Sequence, residues 1–229
     1  MSIPADSVLA PRTTNRGPRS VGSVITIVWW SAIVGAIAYY VHRDAFHYLF
    51  DYTPASFKHF WPERWVIRSH IALAMLMITS GPLQFSSWLR RRHRTVHRWS
   101  GYVFLSTGCV VAATAMYMGL HPVEGDIVYG VGLFLNALFF LIATSIAYYA
   151  IRTRDIQVHR EWMLRAFVLA YAGLVIVRVI EDMTFLNPLL GAVALNDLST
   201  WVNWTVPLMI TEVALQVSRM RMRTRAAAA

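Results

Sequence analysis

Four of the eight histidines in this chain, His70, His97, His121 and His159, fall where apolar helices would carry them into or up to a bilayer. Neutral imidazole is a standard ligand for haem iron, and two histidines on facing helices can supply both axial positions. His97 with His159 would make a site near one membrane face, and His70 with His121 a site near the other. Two b-type haems stacked in this way would pass electrons across the bilayer. Spacing argues the other way. His97 and His121 lie 24 residues apart on one helix. At ~1.5 Å per residue that is ~36 Å, more than the ~30 Å hydrocarbon layer, so both would be interfacial. An interfacial histidine beside arginines ordinarily contacts a headgroup or a neighbouring loop.

Charges inside apolar runs are costly and ask for a reason. Arg178 lies 16 residues into a span, ~24 Å from its basic end. Glu181 shares its helical face and offers an i,i+3 pair. Arg68 and His70 enter the membrane at similar depth, so Arg68, His70, Arg178, Glu181 and Asp182 could gather into one polar cluster. Such a cluster would suit an anion, a quinone headgroup or a haem propionate. Glu212 lies eleven residues into the last span, where a lone carboxylate must protonate or find a partner. A proton relay is one reading; a hydrogen bond to Asn136 or a tyrosine is the ordinary one. Gln84 beside Pro82 marks a helix break that either shapes a pocket below His97 or ends the helix. His42, His47 and His59, with Asp44, Asp51 and Glu63 nearby, match no usual metal spacing and read as a solvated loop.

The elements that must position these residues are long apolar helices. Of 229 residues, 56% are hydrophobic and only 14% charged, and the mean hydropathy is +0.45, far beyond what one soluble core requires. A bilayer core needs roughly 20 apolar residues per helix. Six segments meet this need: Val21–Val41, Val66–Trp88, Ser100–Leu120, Ile127–Ile151, Trp162–Ile180 and Trp201–Val217. The expected fold is all-α, a polytopic bundle of six transmembrane helices over residues 21–218. A cytoplasmic tail, 1–20, lacks apolar periodicity, and a basic tail, 219–229, closes the chain.

A net charge of +9 would suggest nucleic acid as the partner of a soluble protein. Here the basic residues fall between apolar runs, so the lipid bilayer is the expected partner and nucleic acid is not. Fifteen of the 21 Lys and Arg residues sit in the tails and in the connections after the second and fourth spans. The opposite connections hold Arg43, Lys58 and Arg64, while Glu124, Asp126, Asp182 and Asp197 lie in the two that lack basic residues. The positive-inside rule then places both termini in the cytoplasm. The single cysteine, Cys109, allows no intrachain disulfide.

Val96-His97-Arg98 enters the third span and Val158-His159-Arg160 enters the fifth, 62 residues later, each followed by a tryptophan. Spans two to five, residues 66–180, thus read as a core of two parallel hairpin repeats with His97 and His159 at equal depth. With Ser80-Gly81-Pro82-Leu83-Gln84-Phe85, His97-Arg98-Trp99-Ser100-Gly101-Tyr102 and His159-Arg160-Glu161-Trp162-Met163-Leu164-Arg165, this stretch resembles a bacterial predicted-membrane-protein family catalogued as domain of unknown function 2306. The resemblance implies a fold and a place in the bacterial inner membrane, and no reaction. The histidine-bearing bundle is more loosely similar to di-haem b-type cytochromes.

No nucleotide-binding or hydrolase motif occurs, so whether the chain is an enzyme stays open. Three functions remain: a haem b electron-transfer protein working with a quinone or redox partner, a small proton-coupled transporter, and a non-enzymatic membrane subunit or scaffold.

Overall fold

The computed structural model describes residues 21–57, 60–122 and 126–227, and among these there are helices and turns but no strand. The tail before Val21, with Arg12, Arg16 and Arg19, lies outside the described residues, as do Lys58, His59, Glu124 and the last two alanines. The elements are α1 (Val21–Tyr40), a π-helical turn (Val41–Ala45), α2 (Phe46–Phe50), α3 (Pro54–Phe57) and α4 (Arg64–Ser80). A 3₁₀ turn (Pro82–Phe85) leads to α5 (Ser87–Arg92), α6 (Arg94–Leu120), α7 (Ile127–Arg152) and α8 (Ile156–Tyr171). A second π-helical turn (Ala172–Ile176) precedes α9 (Val177–Glu181), a 3₁₀ turn (Thr184–Leu186), α10 (Asn187–Leu190) and α11 (Ala192–Ala227).

Among the described residues five helical stretches are long and apolar enough to cross a membrane: Val24–Phe50, Arg64–Phe85, Arg94–Leu120, Ile127–Arg152 and Ile156–Glu181. The chain is a polytopic helical membrane protein. α11 is not among the five. It is 36 residues long, but Asn203, Glu212 and Gln216 interrupt the apolar run expected at Trp201–Val217. Many large apolar side chains are left uncovered on the spans, Val110, Ile142 and Val179 among them, as a lipid-facing surface requires.

The chain falls into two units, the first ending at Gly35, whose described part from Val21 is an apolar helix, and the second starting at Ala36. Within that second unit the helix starts and turns follow local chemistry. Asp126 accepts the Tyr129 amide at 3.0 Å and Asp155 accepts that of Val158 at 3.0 Å, capping α7 and α8. Ser86 caps α5 in the same way through the Leu89 amide. Arg154, with φ 66°, is the residue that turns the chain from α7 to α8.

Small residues set the helix separations. A Cβ on Gly119 would fall 2.6 Å from the Gly130 carbonyl oxygen, so α6 and α7 touch backbone to backbone there. A Cβ on Gly81 would fall 2.8 Å from the Phe167 ring, which explains the glycine of the Gly81-Pro82-Leu83-Gln84-Phe85 turn. Phe104, Phe140 and Phe167 fill the centre of the bundle.

The region expected to be a solvated loop is largely helical instead. The first span continues through the π turn to Phe50, carrying His42, Asp44 and His47 on helix. Beyond it, Phe57 is fully buried with its ring 5.3 Å from Tyr48, 5.6 Å from Tyr52 and 5.8 Å from Trp61. Aromatic packing supplies here the order that polar composition hides.

Candidate functional site

A cavity of about 170 Å³ lies among α4, α6, α7, α8 and the two π-helical turns. It sits in the half of the bundle away from the arginine-rich connections. Asp44, Tyr48, His70 and Arg178 line it toward that end and Asn136 midway, while Met77, Ile78, Phe140 and Leu169 line its deeper part. Along α4 the lining runs from His70 to Ile78, ~12 Å at the helical rise. The cavity is therefore amphipathic along its length.

The two π turns build it. The first brings Val41, Asp44 and Ala45 to the wall, and the second brings Gly173 and precedes Arg178. Such bulges add a residue to the helical circuit and are frequent at functional sites. At Gly173 an added Cβ would meet only the Asn136 amide nitrogen, at 3.5 Å.

Several polar atoms at this cavity have no protein partner. Asp44 Oδ2, Asn136 Oδ1 and Arg178 Nε are buried and make no hydrogen bond. The other edge of each charged group is engaged: Arg43 Nε donates to Asp44 Oδ1 at 2.8 Å, and Arg178 Nη1 donates to Glu181 at 2.6 Å. The i,i+3 pair expected between Arg178 and Glu181 is thus formed. His70 Nδ1 lies 2.8 Å from Thr114 Oγ1. That hydroxyl lies 2.9 Å from the carbonyls of Val110 and Val111 and donates to them. Thr114 thus links the imidazole to the α6 backbone.

The larger polar cluster expected at this end is divided. His70 and Arg178 share the cavity. Arg68 instead donates to the Leu49 carbonyl at 2.9 Å and covers the Tyr52 ring. Asp182 receives Arg43 Nη1 at 2.6 Å. Glu181 holds Arg178 without lining the cavity. His121 is not brought to His70: its Nδ1 lies 3.0 Å from the Tyr117 carbonyl and its ring stacks on Tyr117. Thr114, the partner of His70, is seven residues back, ~10 Å along α6.

At the arginine-rich end, His97 and His159 are each the fourth residue of their helix, α6 and α8, and so stand at equivalent depth. They are within electrostatic range of one another. His159 Nδ1 donates to the Ala147 carbonyl at 2.9 Å, leaving Nε2 free, and His97 Nδ1 is buried without a partner. Neither lines the cavity. Gln84 donates to the His97 carbonyl at 3.2 Å and to Ser100 Oγ at 2.5 Å, pinning the helix break to the start of α6. Among the described residues no three of His, Cys, Asp and Glu gather as a metal site.

Glu212 has neither Asn136 nor a tyrosine as its partner. Arg165, with its side chain 8% exposed, holds it from Nε and, at 2.9 Å, from Nη2. Arg165 also lies 4.5 Å over the Trp162 ring. One turn along α8, Glu161 pairs with Arg219, which keeps the Arg219 guanidinium firmly charged. Two ion pairs thus bind α11 to α8. At the opposite end, burial and the Asp126 carboxylate push the Asp197 carboxyl up.

The sequence profile of a family described as a predicted membrane protein, domain of unknown function 2306, matches residues 67–215. The chain belongs to this family. The match runs past Glu212 into α11 and so takes in both partners of the Arg165–Glu212 pair. It also contains His70, Asn136 and Arg178, whereas Asp44 precedes it. No curated protein and no solved structure matches the chain.

Proposed function

We propose that this membrane protein binds a small, polar-headed apolar molecule in the cavity between His70, Asn136 and Arg178. The observation that carries this reading is the set of buried polar atoms, Asp44 Oδ2, Asn136 Oδ1 and Arg178 Nε, left unpaired on residues that line the cavity. An unmade buried hydrogen bond costs about 1–3 kcal/mol, and several beside one cavity are best offset by an occupant. The test is mass spectrometry of small molecules retained by protein purified in mild detergent. Wild type is expected to carry a molecule that Ala112→Phe, which fills the cavity, loses. Equal retention by the two proteins, both helical by circular dichroism, refutes the reading.

A second reading has one observation in its favour. His159 donates Nδ1–H to a backbone carbonyl, the outer contact that orients a ligating imidazole, and His97 stands at the same depth. A haem b on this inner pair predicts a reduced-minus-oxidised α-band lost in His97→Ala and in His159→Ala, and a flat spectrum excludes it. Neither histidine lines the cavity, so such a haem would lie outside it. Glu212 makes a poor proton carrier, because a bidentate guanidinium holds its charged form.

The distribution of arginines supports insertion in a bacterial cytoplasmic membrane with both termini inside, α11 completing an even number of crossings. Labelling of single cysteines placed at Thr153 and at Asn187 from either side of the membrane tests that orientation.

A further inference from the structure

The arginine-rich end carries an unmet requirement of its own, at the surface. No Asp or Glu lies between Glu63 and Glu124, so α4, α5 and α6 supply no carboxylate to the five arginines from Arg90 to Arg98. Among the described residues the carboxylates at this end are Asp155, Glu161 and Glu212, and each is in use. Asp155 caps α8, Glu161 holds Arg219 and Glu212 holds Arg165. Arg94 and Arg98 are exposed and make no hydrogen bond or ion pair among the described residues. At the other end protein groups engage the described arginines: carboxylates hold Arg43 and Arg178, the Tyr52 hydroxyl accepts from Arg64 and the Leu49 carbonyl from Arg68.

The two unpaired guanidinium groups are aligned. Arg94, Arg98 and Tyr102 recur every fourth residue and so share one face of α6, each ~6 Å further along its axis. All three are exposed. Trp99 sets its ring edge-on 6.0 Å from that of Tyr102, and both rings are more than half exposed. From its start inward, this side of α6 carries two cations and then an aromatic pair. A guanidinium matches the oxygens of a phosphate group, and Trp and Tyr rings favour the headgroup level of a bilayer.

The repeat supplies a comparison. α8 begins at Ile156, 62 residues after Arg94 opens α6. Its equivalent face carries Ile156, Arg160 and Leu164, one cation and no ring, and Glu161 stands where α6 has Trp99. Of the two helix starts that share the Val-His-Arg tripeptide, α6 alone has the doubled charge beside exposed rings.

We infer that this face of α6 binds the headgroup of an anionic phospholipid, with Arg94 and Arg98 on its phosphate and Trp99 and Tyr102 beside its glycerol and upper acyl chains. Lipid is the occupant because the basic start of α6 runs on into uncovered apolar surface, Val103 and Val110 among it, which a bilayer covers in a membrane-spanning helix. Basic residues beside a span attract anionic lipid in this way. The inference is independent of the cavity.

The test is native mass spectrometry of the full chain in detergent, given an equimolar mixture of dioleoyl phosphatidylglycerol and dioleoyl phosphatidylcholine. Wild type is expected to carry the phosphatidylglycerol adduct at least about five-fold more often. The double variant Arg94→Gln with Arg98→Gln should bring that preference below about two-fold, at unchanged helicity by circular dichroism, since neither side chain holds another residue. The double variant Arg160→Gln with Arg221→Gln removes the same charge elsewhere at this end and should keep most of the preference. Equal adducts of the two lipids on wild type overturn the inference and leave these arginines to orientation or to an acidic protein partner. A preference that survives the loss of Arg94 and Arg98, or that falls as far in the charge-matched variant, overturns it too.

Discussion

Both ends of the bundle leave buried polar atoms unpaired, His97 Nδ1 and Arg165 Nη1 at one and Asp44 Oδ2, Asn136 Oδ1 and Arg178 Nε at the other, but only the second set belongs to residues that line the cavity. At the arginine-rich end the intramembrane carboxylates are matched, Glu212 by Arg165 and Glu161 by Arg219, and the Gln84 amide closes the helix break onto α6. At the other end Asp44, Asn136 and Arg178 each keep an atom unused beside a cavity. A polar group that is paired across helices fixes where they sit. One left unpaired beside a space is available to something that enters it.

Substitutions can break this contrast, beginning with the largest expected effect. Glu212→Leu leaves the Arg165 guanidinium buried without its counter-charge and is expected to cost roughly 3 kcal/mol. Thermal melting followed by circular dichroism in detergent measures it. Adding Arg165→Leu to Glu212→Leu should recover most of the loss, since breaking such a pair costs more than replacing it. Next comes Gly119→Val, which forces α6 and α7 apart at the Gly130 carbonyl and should cost about 2 kcal/mol by the same melt. Asn136→Leu should behave differently. It removes an unmade hydrogen bond, so the ligand-free protein should melt no lower and gain up to ~1 kcal/mol, while ligand retention falls. The smallest effect is expected at Asp197, whose folded-state pKa is raised by burial and by Asp126. Above the raised value the folded protein carries a repulsion that the unfolded chain lacks, and below the unfolded value neither state does. Asp197→Asn should therefore raise the melting temperature at about pH 7 and leave it unchanged at about pH 3.

Much of this architecture was legible in the sequence. Five of the apolar runs are spans, because length and hydropathy alone decide whether a helix can cross lipid. The Arg178–Glu181 pair followed from i,i+3 spacing, and the repeated tripeptide put His97 and His159 at the same position of α6 and α8. The rest depended on tertiary contacts that local pattern does not encode. Asp44 looked like a loop residue, since nothing in Val41–Ala45 announces a π turn that carries the first helix on to Phe50. Asn136 was seen only as a partner for Glu212. Arg165 passed as part of a motif, although it lies three residues into the fifth span, near the end where Glu212 needs a partner. The clustering of Arg68 and Asp182 with His70 failed because similar depth does not mean the same helix face. Arg68 turns to Leu49 and Tyr52, and Asp182 to Arg43.

The cavity end binds, and the Arg165–Glu212 end holds the helices together. The measurement that bears on it most directly is the small-molecule content of wild type, Ala112→Phe and Glu212→Leu purified side by side in mild detergent. The claim predicts a molecule retained by wild type, lost from Ala112→Phe at nearly unchanged stability, and still present in the folded fraction of the less stable Glu212→Leu. A molecule retained equally by Ala112→Phe, or lost only from Glu212→Leu, would contradict it.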